Sequence, residues 1–136
     1  MFGPPGTAYI HLNFGVHWCL NVVVGSEGHA AAVLIRAVEP VDGIEVMRAR
    51  RPGRSDRELS SGPGKLTKAM GIGPDLQRVS MTNGPPLFIA AGEAVSESDV
   101  VQTTRVGISK GIDEEWRFYD RRSSWVSRRA KERVRE

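Results

Sequence analysis

The chain has 136 residues, a formal net charge of +3 with Arg far in excess of Lys, and one cysteine. This length fits one domain with its own core, and a lone cysteine excludes an internal disulfide and a cysteine-based zinc cluster, so a reducing cytoplasm is the expected compartment. No apolar run is long enough to span a membrane, and the first residues, MFGPPGTAY, have neither the basic region nor the apolar stretch of a signal peptide.

Gly3-Pro4-Pro5-Gly6 is a rigid lead-in to the first strand. From Ala8 to Val24 the even positions are all apolar, whereas the odd ones read Tyr9, His11, Asn13, Gly15, His17, Cys19 and Asn21 before Val23. Strict alternation predicts extended chain with one face in a core and the other free. Asn13-Phe14-Gly15 is a turn signal, which makes the stretch a β-hairpin. A two-residue turn would pair even with odd positions. A three-residue loop with Gly15 left-handed keeps even opposite even, sets Leu12 opposite Val16 and His11 opposite His17, and leaves Phe14 on the tip.

After the Gly25–Gly28 turn, AAAVLIRAVEP reads as a central strand buried on both faces. Asp42 is the expected cap of a short helix, Gly43 to Arg50, with Ile44 and Met47 on its apolar side. Arg51 to Gly64 reads as a polar loop whose arginines are candidate phosphate contacts. A second helix follows from Lys65 to Met70, with Ser61 the nearest upstream hydroxyl. Pro85–Ala91 and Val100–Ser109 read as strands, Trp116–Tyr119 as a last short strand, and RRAKERVRE as a frayed helix. The chain has no internal repeat.

Chemistry concentrates on the odd face of the hairpin. An apolar wedge on a groove-entering element is how some proteins distort duplex DNA, and enzymes that act on one base hold it between aromatic rings. An ordinary hairpin with polar residues facing water fits the same pattern. Arg36 interrupts an apolar run, which implies either an ion pair, for instance to Glu39, or a wet site. His11, His17, Cys19 and His29 have no compact zinc spacing, so no metal is expected. SSGPGKL places Ser60, Ser61, Gly62 and Lys65 at a helix entrance, either as a phosphate site or as a plain loop-to-helix junction. No serine or cysteine comes with a convincing base.

Taken together, MFGPPGTAYIHLNFGVHWCLNVV, VLIRAVEPVDGIEVM, DRELSSGPGKL, RVGI and WRFYDRRSSWVS resemble, in order and spacing, the 3-methyladenine (alkyladenine) DNA glycosylases over essentially the whole chain. The resemblance implies an α+β fold, a single mixed domain around an antiparallel β-sheet with a protruding DNA-inserting hairpin and short helices. It implies excision of alkylated or deaminated purines from double-stranded DNA by hydrolysis of the N-glycosidic bond. No cofactor, no membrane and a monomer are expected, in the cytoplasm and on the nucleoid if the source is bacterial.

By the same resemblance, Phe14 is the wedge that fills the gap left by an extruded nucleotide, and Gly15, Val16 and His17 complete the DNA-binding tip. Tyr9, His11 and Asn21 form the base pocket, with His11 stacking on the base and Asn21 beside the purine edge. Arg36 and the main-chain carbonyl of Val106 hold the attacking water. The family's general base is a glutamate upstream of the segment that Met1 matches. Residues 1–136 therefore read as the C-terminal two-thirds of the domain, expected to be inactive as written. A non-catalytic DNA-binding module and an inert truncated product are the alternatives.

Overall fold

The alternating segment forms a hairpin in the computed structural model, which describes residues 1–130. Strand β1 (Ala8–Asn13) pairs antiparallel with β2 (His17–Val23), with Ala8 opposite Val22, Ile10 opposite Leu20 and Leu12 opposite Trp18. Even positions face even positions, as the alternation predicts. The ladder nevertheless lies two positions from the expected one, with His11 opposite Cys19 rather than His17, and Leu12 opposite Trp18 rather than Val16. The loop is Phe14-Gly15-Val16. Phe14 and Gly15 have φ of 52° and 67°, and the Val16 N–H donates to the Asn13 carbonyl at 3.1 Å. Two successive positive φ values mark a type I′ turn, and Val16 is the extra residue that restores even pairing after it.

Strand β3 (Ala32–Leu34) pairs antiparallel with β2, giving the order β1-β2-β3. The expectation of a central strand from Ala30 to Val38 is thus corrected. The central strand is β2, while β3 is a short edge whose Val33 is 52% exposed. The run is apolar because residues beyond the edge turn inward, Ile35 and Val38 packing against the core. That core joins Ala8, Ile10 and Leu20 to Leu66, Ile72, Met81 and Leu87, with Trp18 and Val22 at its margin.

The even face is not uniformly buried. Leu12 and Val16 are exposed, because the hairpin runs out past the core. Nor is the odd face free along its length, since Cys19, Asn21 and Val23 are buried. The lead-in is tied to this end of the sheet, with Gly6 N–H donating to Val23 O and Gly28 N–H to Phe2 O.

Helix α1 (Ile44–Arg50) buries Met47. Asp42 does not cap it; Gly43, in the left-handed conformation, stands at the N-cap without a side-chain bond. Helix α2 (Pro63–Met70) begins two residues before the expected start, because Pro63 tolerates the first turn, where its missing N–H is no loss. Ser61 does not cap it, and Gly71 ends it with φ of 68°. Leu66, Thr67 and Ala69 are its buried residues, and Ala69 forms a small second cluster with Met47 and Leu59. The Arg51–Gly64 segment is more ordered than a loop. Its 3-10 turn, Asp56–Glu58, carries a capping box with Ser55, and Leu59 and Ser60 are buried.

The chain divides into two compact units, Met1–Ala91 and Gly92–Glu136, and all elements above belong to the first. Pro85–Ala91 forms no strand, since its two prolines have no N–H to give a ladder. In the second unit, β4 (Val100–Thr103) pairs antiparallel with β5 (Arg117–Asp120), so the strand expected to Ser109 stops early and the last strand is shifted by one residue. Buried Arg117 organises this unit, donating to Ser127 O at 2.7 Å and Arg128 O at 2.8 Å and lying 5.0 Å from the Tyr119 ring. Of the expected terminal helix, residues 128–130 are non-helical and the remainder lies outside the described residues. The fold is α+β with antiparallel sheets and short helices, as expected. Among the described residues no helix is long and apolar enough to cross a membrane.

The core predicts a contrast between two leucines. Leu66→Ala should lower unfolding free energy by about 2–5 kcal/mol, whereas Leu12→Ala should cost less than about 1 kcal/mol, both read by urea denaturation. Equal losses would contradict the placement of Leu12 beyond the core.

Candidate functional site

Pleating carries Tyr9 and His11 of β1 to one face of the sheet, where their rings stack with centroids 5.3 Å apart and planes inclined by 21°. Asn21 lies opposite Tyr9 across the ladder and is buried. Its Nδ2 donates to the Tyr9 carbonyl at 3.1 Å and to the Cys19 carbonyl at 3.4 Å, and meets His11 Nδ1 at 3.2 Å. An amide nitrogen only donates, so in this contact His11 Nδ1 stands as the acceptor. The amide thus ties both aromatic residues to β2 and fixes the imidazole's orientation. The expected base-pocket residues, Tyr9, His11 and Asn21, come together as one polar-aromatic surface.

Arg36 reaches the same face through strand parity. Leu34 pairs with Asn21, and Ile35 N–H donates to Leu20 O at 3.0 Å, so the ladder runs one step past β3 and brings Arg36 level with Cys19. The thiol of Cys19 is pushed up by burial and partly drawn back by the Arg36 charge. Half-buried Arg36 is therefore on the side of His11 and Asn21. Val106 belongs to the second unit, in the loop after β4. That loop is held by Arg105, whose guanidinium lies 5.1 Å from the Trp116 ring and donates to the Lys110 and Gly111 carbonyls.

The tip residues stand out from this surface. Phe14 is 84% exposed and Val16 69%, with Gly15 between them and His17 opening β2. A large aromatic in left-handed backbone costs about 1–2 kcal/mol and points to a constraint other than burial. A cleft of about 490 Å³ lies at the other end of the sheet, lined in part by Met1, Phe2, Tyr9, Val23 and Arg78. Among the described residues, no three His, Cys, Asp or Glu side chains come together to hold a metal ion.

A family model for methylpurine-DNA glycosylase matches residues 1–124. The chain belongs to the methylpurine-DNA glycosylase family. Relatives provisionally named as 3-methyladenine DNA glycosylases include one from Carboxydothermus hydrogenoformans, 50% identical over 129 residues that make up 95% of this chain and 68% of the relative. One from Salinibacter ruber is 46% identical, covering 93% of this chain and 61% of the relative. One from Methanoculleus marisnigri is 48% identical, covering 95% and 68%. This family member thus spans roughly two thirds of the length of these relatives.

Two residues that support the hairpin of this methylpurine-DNA glycosylase family member escaped the sequence reading. Thr67 of α2 donates its hydroxyl to the Trp18 carbonyl at 2.8 Å, stitching the helix to the stem. Gly64 lies so close to His17 that an added Cβ would fall 2.9 Å from His17 Cβ and Cγ. The only signal was the Gly62-Pro63-Gly64 run, which reads equally well as a turn. Gly64→Ala should therefore displace the stem, lowering stability by about 1–3 kcal/mol and moving the amide resonances of β2 near His17. An unperturbed spectrum would show that the close approach is not needed.

Proposed function

We propose that residues 1–136 are the duplex-reading and base-holding part of a DNA glycosylase that excises alkylated or deaminated purines. One observation carries this reading. A single sheet face presents the Tyr9–His11 stack, the buried Asn21 amide and Arg36, and the same hairpin ends in an exposed aromatic tip. An extruded purine stacks on the imidazole with its edge beside Asn21, while Phe14, flanked by Gly15, Val16 and His17, fills the vacated step in the duplex. Asn21 orients its partners without titrating, so base recognition rests on shape and hydrogen bonding.

Arg36 is the proposed water-positioning group of this face, and the resemblance gives the Val106 carbonyl the same role. Neither accepts a proton at neutral pH, since a guanidinium stays charged and an amide carbonyl is a very weak base. Hydrolysis of a glycosidic bond needs a carboxylate to take the water proton and balance the developing oxocarbenium charge. The odd positions of β1 and β2 hold none. The base in this reading is a glutamate outside residues 1–136, as the resemblance implies.

Two measurements test the proposal. Phe14→Ala should weaken binding to duplex containing an abasic analogue by about 1–3 kcal/mol, with global stability unchanged; equal affinity rejects the wedge. Purified chain 1–136 should release no base from hypoxanthine- or alkyladenine-containing duplex above background. Given an N-terminal extension that supplies the glutamate, it should gain activity, and Arg36→Ala in that longer protein should reduce it. Robust release by residues 1–136 alone would overturn the account of the missing base.

A further inference from the structure

Between Arg48 and Lys68 the chain carries seven cationic residues, Arg48, Arg50, Arg51, Arg54, Arg57, Lys65 and Lys68, and the fold uses them unequally. Arg48 grips Asp56 through two bonds of 2.8 and 2.7 Å. Arg50 donates to the Ala69 carbonyl at 3.1 Å and lies over Gly71, a favourable place for a cation at a helix C-terminus. Arg51 donates to the carbonyls of Glu58 and Leu59. These three guanidinium groups close α1, α2 and the 3-10 turn on one another.

Arg54 and Lys65 are exposed and make no hydrogen bond or ion pair among the described residues. Arg54 directly precedes Ser55, the partner of the Glu58 carboxylate. Glu58 is fixed by the Ser55 hydroxyl and N–H, which hold it below the usual carboxylate range, and the charges of Arg54 and Lys65 add to that effect. Lys65 follows Gly64, the residue packed against His17, and its methylene stem lies over Gly62, 3.6 Å from where a Cβ would be. One open cation is thus anchored a single residue from the hairpin stem, and the second borders the Ser55–Glu58 turn. Arg57 and Lys68 also have open heads but lack this placement.

We propose that Arg54 and Lys65 form a patch that contacts the phosphate backbone of duplex DNA on the flank of the hairpin. This rests on the DNA-binding reading above. A side chain wedged into a groove is bordered by phosphates on both edges, and cations fixed beside the wedge set its register on the duplex. Such contacts release condensed counterions, so each appears as a separable part of the salt dependence of binding.

The test is the slope of log affinity against log salt for chain 1–136 on duplex with an abasic analogue. Each phosphate contact contributes about 0.9 to that slope. Arg54→Gln with Lys65→Gln should lower it by about two, whatever the sequence of the duplex, and leave the melting temperature unchanged because both side chains are exposed. Lys65→Arg should keep the parental slope. Arg50→Gln should lower the melting temperature and leave the slope alone. A double variant with the parental slope, or an equal loss of slope in Arg50→Gln, overturns the patch while the DNA-binding reading stands. A falling slope with no effect of Phe14→Ala supports the patch and rejects the wedge. A parent chain that binds no duplex at low salt overturns both.

Discussion

The turn at Phe14-Gly15, with its extra residue Val16, sets which face of the hairpin every side chain occupies. Slipping one strand by a single residue would send Ile10 and Leu12 to the polar side and His11 to the core side. The two positive φ values and the Val16 insertion prevent this by closing the Asn13–Val16 turn while keeping even opposite even. The core, the Tyr9–His11 stack and the Asn21 amide all inherit that register. Beyond the last core contact the same turn lifts Phe14 and Val16 into solvent, which no gain in burial explains.

Support for the register comes from the opposite face. Helix α2 buries Leu66 under the sheet and binds the Trp18 carbonyl through Thr67, so the stem of β2 is held by both packing and a directed bond. On the polar side, the Asn21 Nδ2 group binds the Tyr9 and Cys19 carbonyls and the imidazole, all within its own hairpin. Stability and site geometry are therefore not independent. A change that loosens α2 also loosens the surface on which the aromatic residues stack.

The hairpin was legible because period-two alternation survives without tertiary help, and Asn-Phe-Gly marks a turn. Its exact register was not, since placing the loop one residue later turns on the φ of Phe14, a residue type that rarely takes a positive value. The run around Leu34 misled because apolar residues serve an edge that curls inward as well as a central strand. Asp42 looked like a cap, yet Gly43 took the position, as a short helix packed through Met47 does not depend on its N-cap. The family resemblance named the site residues, and the face shared by Tyr9, His11, Asn21 and Arg36 follows from strand parity. Gly64 and Thr67 stayed hidden because their role exists only once α2 meets β2.

The second unit has a different dependence. Arg117 is buried, and its guanidinium is satisfied by carbonyls of Ser127 and Arg128, ten and eleven residues further along. Removing the residues from Ser127 onward would take away both acceptors and leave the guanidinium buried without them. A C-terminal trim that touches neither strand would therefore still weaken the β4–β5 pair.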